Sequence, residues 1–219
     1  MTLDYTGVGH GASVTFSLAN DPLGNPFTDF AGEIRWRQIN GNGTYGPDFS
    51  AFCVDATRYL TDPETVDVRS TNDLTGTTQS NGAVVAGGGA DAGKRIAWLV
   101  NSFGSVAHTD VTGVAAAALQ VAIWETLYDG VANLAGGSFR LLTTGAVNST
   151  ASSYLAQLYS KPLVGGGTTY YTSEAIWLDT TNGQDQVRSV PEPGSILLVG
   201  VGAATALMRR RNRSASLAS

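Results

Sequence analysis

Lysine is almost absent from this chain: Lys94 and Lys161 are the only two among 219 residues. Cysteine occurs once, at Cys53, and histidine twice, at His10 and His108. Each scarcity closes off a class of function. One cysteine cannot form an intramolecular disulfide, so a lone thiol has to be accounted for by chemistry or by packing. The two histidines lie in glycine-rich or polar segments without partners at metal-ligand spacing; they read as surface residues, and no metal is expected. Charged residues make up only 14% of the chain. Arg209, Arg210, Arg211 and Arg213 supply four of the 13 basic residues, so residues 1–193 hold nine basic against 18 acidic side chains, a net of −9. A body this acidic repels phosphate backbones, which argues against nucleic acid as a partner. No Ser-His-Asp order and no helical carboxylate pair emerges, so neither an enzyme with turnover nor a cofactor is expected. Asp179 to Asp185 is acidic and turn-like but lacks the calcium-loop spacing.

What is present suits a β-rich body. The chain is 42% hydrophobic, enough for a real core, and carries 27 glycines. Met1 to Thr6 has neither a basic nor an apolar stretch of the signal-peptide kind and reads as the start of a mature fold. Gly7-Val8-Gly9-His10-Gly11 reads as a turn, followed by alternation from Ala12 to Leu18. Phe30 to Ile39 alternates again, with Phe30, Gly32, Ile34 and Trp36 opposite Ala31, Glu33, Arg35 and Arg37. Gly41-Asn42-Gly43 closes that strand, and Phe49 to Asp55 forms the next, carrying Cys53. Thr65 to Arg69, Phe139 to Leu142, Tyr170 to Leu178 and Gln186 to Val190 complete the expected strands, the last two joined through Asn182-Gly183.

Between them lie residues 70–93, polar, glycine-rich and without a period, which read as a loop. Its end, Gly88-Gly89-Ala90-Asp91-Ala92-Gly93-Lys94, has the spacing of a phosphate loop. Position 95 is Arg, however, where Ser or Thr must hold magnesium, and nucleotide binding is excluded. Asp91 is instead an N-cap candidate for a helix running to about Phe103. A second helix is expected near 114–129 and a third near 149–160.

The middle helix is the clearest. It runs between Gly113 and Gly130, two helix-stopping residues. At about 100° per residue, Leu119, Ile123, Ala116, Leu127, Trp124 and Ala117 share one arc, with Glu125, Ala122 and Ala118 opposite. Gln120 falls in the middle of the apolar arc, where a carboxamide needs specific partners. The expected fold is therefore α+β: a β-rich sandwich or barrel-like core over residues 1–189, with a helical insertion at about 91–160.

Two resemblances extend this reading. Val190-Pro191-Glu192-Pro193, an uncharged and mostly apolar run from Ser195 to Met208, and the Arg209-to-Arg213 cluster resemble the PEP-CTERM sorting signal of Gram-negative bacteria. The apolar run is 14 residues, short for a span of the bilayer, and the arginines would stay cytoplasmic. A tail anchor or a buried C-terminal helix is the plainer alternative. The resemblance implies a sorting tail over 190–213, containing a short apolar helix, and a disordered end at 214–219. It further implies export, transient anchoring in the inner membrane, recognition by an exosortase-type processing enzyme, and release to the cell surface or extracellular matrix. That family normally pairs such a tail with an N-terminal signal peptide.

The body resembles a second family. Phe30-Ala31-Gly32-Glu33-Ile34-Arg35-Trp36, Phe52-Cys53-Val54-Asp55 and Leu119-Gln120-Val121-Ala122-Ile123-Trp124-Glu125 are similar to the thioester domain of bacterial surface proteins. By position, the resemblance implies an internal thioester between Cys53 and Gln120, walled from water by Phe52, Trp124 and Leu127. Leu119 stands where that family has Thr. The implied function is a covalent adhesion module that reacts once with a surface amine. The alternative is a non-catalytic structural protein of the cell surface or exopolysaccharide matrix, associated with polysaccharide. In that case Cys53 is a small core residue and Gln120 a buried amide bonded to backbone. Processing of the tail is directly testable: the mature protein in the extracellular fraction should lack Arg209 to Arg213 by intact mass, and a form retaining them would contradict removal of the tail.

Overall fold

A computed structural model describes residues 1–19, 26–78, 84–85, 87–160, 174–181 and 183–190. The chain divides into two units, Met1–Ser189 and Val190–Ser219. The sorting tail beyond Val190, its expected apolar helix and the 214–219 end lie outside the described residues.

The first unit is a sheet-rich α+β fold. Its strands are β1 (Thr2–Leu18), β2 (Phe27–Ile39), β3 (Tyr45–Cys53) and β4 (Glu64–Ser70), then a small β5–β6 pair (Thr77–Thr78 with Val84–Val85). After these come α1 (Ala92–Thr109), α2 (Val114–Tyr128), β7 (Phe139–Leu141), α3 (Ala146–Tyr159), β8 (Ala175–Thr180) and β9 (Gln186–Ser189). The seven-stranded sheet runs β2-β3-β9-β8-β4-β1-β7, every pairing is antiparallel, and β2 also pairs with β1. Six strands therefore form a closed circuit, β1-β2-β3-β9-β8-β4, which removes most of the open edge that an unclosed sheet would expose.

β1 makes the closure possible, and it corrects the expected glycine turn. Gly7 to Gly11 lies inside the strand, with register shifts against β2 between Tyr5 and Gly7 and between Val8 and Gly11. Bulges of this kind bend a strand and increase its twist. The bent strand pairs Thr2 and Leu3 with β4 at one end and Phe16 to Leu18 with β7 at the other. Gly11 and Gly113 are both required by close approach. A Cβ on Gly11 would meet the Ala31 carbonyl and the Phe30 ring, and one on Gly113 would meet the Gly11 backbone. The start of α2 thus rests directly on β1.

α2 departs from the amphipathic expectation. Every residue from Ala115 to Tyr128 is buried, including Glu125 and Thr126. The wheel assumed one apolar arc facing one layer, whereas α2 contacts β1 and β2 and also α1 and α3. A helix covered all round is an interior helix, and the small side chains of Ala115 to Ala118 permit close neighbours on every face. Trp124 packs its ring on Phe16 at 5.2 Å and Phe139 at 6.0 Å, tying α2 to β1 and β7. Glu125 is accommodated by accepting a bond from the Asn133 backbone N–H at 3.0 Å.

Other boundaries move for identifiable reasons. α1 continues six residues past Phe103, through Gly104, and ends at Thr109. Asp91 stands at its N-cap position but makes no side-chain capping bond; its carboxylate pairs with Lys94 at 3.1 Å. The capping role expected there is played by Asp110 for α2, which accepts from the backbone N–H groups of Thr112 (3.0 Å) and Ala115 (2.8 Å). The expected loop at 70–93 contains a 3-10 turn at Thr71–Asp73 and the β5–β6 pair. β8 and β9 do form a hairpin, but their ladder ends at Leu178 opposite Gln186, so the connection is longer than a two-residue Asn-Gly turn. Asn182 and residues 170–173 lie outside the described residues.

Gly93 gives a direct test of this packing. In α1 it is buried, its N–H donates to the Leu74 carbonyl, and a Cβ there would run into the carbonyl oxygens of Thr71 and Leu74. Gly93→Ala should therefore destabilise the body by about 1–3 kcal/mol despite the better helix propensity of alanine. Chemical denaturation measures this, and a neutral or stabilising result would mean that the turn at Thr71–Asp73 does not hold α1 in place.

Candidate functional site

Cys53 is the last residue of β3, and the two edges of the strand end differently. On one edge β3 pairs with β9, and Val54 donates to the Asp185 carbonyl at 2.7 Å. On the other edge β2 stops following at Ala51, its partner being Ile34. Alternation of the backbone then leaves the N–H and C=O of Cys53 facing the vacated edge. Buried peptide groups require partners. Gln120 supplies both from α2: its Oε1 accepts from the Cys53 N–H at 2.8 Å, and its Nε2 donates to the Cys53 C=O at 2.7 Å. The carboxamide thus takes the place of a neighbouring strand. The glutamine stranded on an apolar arc and the lone cysteine meet here, both buried.

The thiol has its own partner, which sequence reasoning missed. Cys53 Sγ donates to Gln184 Oε1 at 2.8 Å, and Gln184 Nε2 donates to the Asp55 carbonyl at 2.6 Å. Asp185 N–H reaches Asp55 Oδ2 at 2.9 Å, and the Asp185 carboxylate accepts from the Thr180 backbone at 2.8 Å. Gln186, opposite Cys53 in the β3–β9 ladder, accepts from the Trp36 indole at 2.5 Å. Gln184 and Asp185 precede the expected strand that begins at Gln186, and no local pattern marks them.

The expected wall residues are all buried: Phe52, Trp124 and Leu127. Trp124 belongs to the Phe16–Phe139 aromatic cluster, and it is Tyr128, one turn further along α2, whose hydroxyl accepts from the Ala56 N–H at 3.4 Å. Val190 is exposed where β9 ends; Pro191, Glu192, Pro193 and the basic residues Arg209, Arg210, Arg211 and Arg213 lie outside the described residues. His108 is exposed, as expected of a surface histidine, yet its Nδ1 lies 3.0 Å from the buried carboxylate of Glu33. Among the described residues no group of His, Cys, Asp and Glu side chains could hold a metal, and no helix is long and apolar enough to cross a membrane.

Burial dominates the electrostatics. It pushes the Cys53 thiol well above its ordinary range, with the Asp55 carboxylate adding to the effect. Desolvation, then repulsion from Asp185, raises Asp55 to about 8. Desolvation likewise raises Glu64 to about 7 and Glu125 to about 7, and it moves Asp185 upward. Burial thus favours the neutral forms of the carboxyls around the site, Asp55 most clearly.

The PEP-CTERM protein-sorting motif matches residues 189–212, beginning at the last residue of β9. No curated protein and no solved structure matches this chain, and none of these comparisons supports the resemblance of the body to the thioester domain. The motif indicates an exported protein that associates transiently with the membrane and is processed there by an exosortase-type enzyme.

The raised carboxyls set the pH dependence of stability. Folding favours their neutral forms, so their contribution is complete below the unfolded carboxyl range of about 4 and is lost as pH rises through the folded values near 7 and 8. The melting temperature of the body should therefore fall between about pH 5 and pH 9. Asp55→Asn keeps an acceptor for the Asp185 N–H and should flatten the upper part of that decline. A melting temperature that rises across the interval would contradict the assignment.

Proposed function

We propose that the body is a covalent adhesion module in which Cys53 and Gln120 close an internal thioester that reacts once with a partner amine. The observation that carries this reading is the reciprocal pair of hydrogen bonds holding the Gln120 amide on the Cys53 backbone, at 2.8 and 2.7 Å. Two residues 67 positions apart are thereby brought together in a buried site. Proximity of this kind is what a resistant amide needs, since well-oriented groups reach effective molarities of about 10⁵–10⁸ M.

The geometry suggests a role for each group. The Cys53 N–H already donates to the oxygen that would carry negative charge when sulfur adds to the Gln120 carbonyl, an oxyanion-type contact. The Sγ–Cδ bond then forms, the Cδ–Nε2 bond breaks, and the thiol proton goes to the departing nitrogen, which leaves as ammonia. Because burial disfavours free thiolate, that proton passes within the site rather than through solvent. A partner amine later attacks the acyl carbon, forms an amide and returns the thiol. The sequence of steps ends there, so the module does not turn over. On this reading the mature protein acts at the cell surface or in the extracellular matrix after its export.

A second reading draws on the same two bonds. They satisfy both peptide groups of Cys53, which is what a purely structural core glutamine would do. On that reading the protein is a non-catalytic component of the surface or polysaccharide matrix.

Mass spectrometry separates the two. With the thioester, the folded protein weighs one ammonia less than its sequence, and thiol reagents leave Cys53 unlabelled. Methylamine should then add its own mass and expose a labelable thiol. Cys53→Ala should abolish both effects at a modest cost in stability, since little volume is removed. A freshly purified wild-type mass equal to that of the sequence, with no adduct after native methylamine treatment, would leave the structural reading.

A further inference from the structure

The β8–β9 connection is held down more firmly than a surface loop requires. Gln184 Nε2 donates to the Asp55 carbonyl (2.6 Å), and the Asp185 N–H donates to the Asp55 carboxylate (2.9 Å). The Asp185 carbonyl accepts from the Val54 N–H (2.7 Å), and the Gly183 carbonyl accepts from Arg58 (3.1 Å). Gly183 also lies against Glu64, whose carboxylate occupies the place a Cβ would need. The outcome of this anchoring is one contact: the Gln184 carbonyl accepts the Cys53 thiol hydrogen at 2.8 Å.

We propose that Gln184 is the positioning residue of the Cys53–Gln120 acyl transfer, its carbonyl fixing the direction of the thiol while its own amide is strapped to the backbone of Asp55. The inference rests on the thioester reading and adds a residue to it. A cysteine side chain has three staggered positions about its first torsion, and the backbone pairing with Gln120 fixes none of them. Gln184 supplies the missing constraint, because a carboxamide tied at its nitrogen has little freedom left at its oxygen. In the closing step Sγ bonds to Cδ of Gln120, the Cδ–Nε2 bond breaks, and the thiol proton leaves with the nitrogen as ammonia. Gln184 neither gains nor loses a bond to carbon or a proton. It accepts a hydrogen bond that exists only while the thiol is intact. Its influence therefore falls on the rate of closure, not on the stability of the closed product.

The test is a time course of intact mass on the full chain after a pulse of cell-free synthesis, scoring the fraction that has lost one ammonia. Gln184→Leu should slow that loss on the order of tenfold to a hundredfold, the scale of a mispositioned reacting group, and reach the same final extent. Gln186→Leu, which removes the partner of Trp36 from the neighbouring strand without touching the thiol, should close at the wild-type rate. Gln184→Glu gives a conservative rescue. Protonated at about pH 5, its carboxyl can accept from the thiol and donate to the Asp55 carbonyl; once ionised at a pH above the raised range of its buried neighbours, it can donate nothing. Closure by this variant should be fast at the lower pH and slow at the higher, a dependence beyond any that Asp55, Asp185, Glu64 and Arg58 impose on the wild type. Wild-type rates in Gln184→Leu, equal slowing in both leucine variants, or a methylamide mapped to Gln184 instead of Gln120 would each overturn the assignment while leaving a thioester in place. A wild-type chain that never loses ammonia would overturn the thioester reading and this role together.

Discussion

The end of β3 needs a partner that no strand supplies, and much of the structure follows from how that need is met. Beyond Ala51 the β2 ladder ceases, leaving the buried peptide groups of Cys53 facing away from β9. A side-chain amide offers a donor and an acceptor at peptide-like spacing without carrying a charge at any ordinary pH. Gln120 fills this role from α2, so the helix is joined to the sheet by a pair of directional bonds as well as by packing. An apolar residue at 120 would leave both Cys53 groups unsatisfied in the interior, where each costs about 1–3 kcal/mol.

α2 can reach that position only because the sheet curls around to meet it. The bulges between Tyr5 and Gly11 bend β1 far enough to pair with β4 at its start and β7 at its end, while β2 follows along its length. Gly11 and Gly113 let the backbone of the helix start approach the strand. α1 and α3 then cover the rest of α2, and a helix with one expected polar face becomes wholly interior. Glu125 is tolerated there because the Asn133 N–H meets one oxygen and because its carboxyl is readily neutral.

The candidate site and the sorting motif sit at the two ends of one short strand. β9 begins beside the Cys53 site, through Gln184, Asp185 and Gln186, and ends at Ser189, where the sorting motif begins. The motif marks the chain for export and for processing at the membrane. Around Cys53, burial pushes the carboxyls of Asp55, Glu64 and Asp185 upward, and the thiol with them. Acidic side chains are abundant in the body as a whole, but burial shifts those near Cys53 toward their neutral forms.

The sequence by itself determined the β-rich class, the three helices and the sorting tail, because each is written in local pattern. Alternation marks strands, a 3.6-residue period bounded by Gly113 and Gly130 marks α2, and Pro-Glu-Pro followed by apolar and basic runs is linear by nature. It also singled out Cys53 and Gln120, since a lone thiol and an amide on an apolar arc are anomalies visible without coordinates. Only the tertiary structure decided that Gly7 to Gly11 bends a strand instead of turning it, since a bulge depends on the partner strand. The same holds for the burial of Glu125, which depends on α1 and α3 covering a face that periodicity assigns to water. Gln184 was illegible for a related reason: the thiol it holds is 131 residues away, and nothing local distinguishes it from an ordinary loop glutamine. Periodicity reports one chain segment against an average environment, whereas these three features each arise where two distant segments meet.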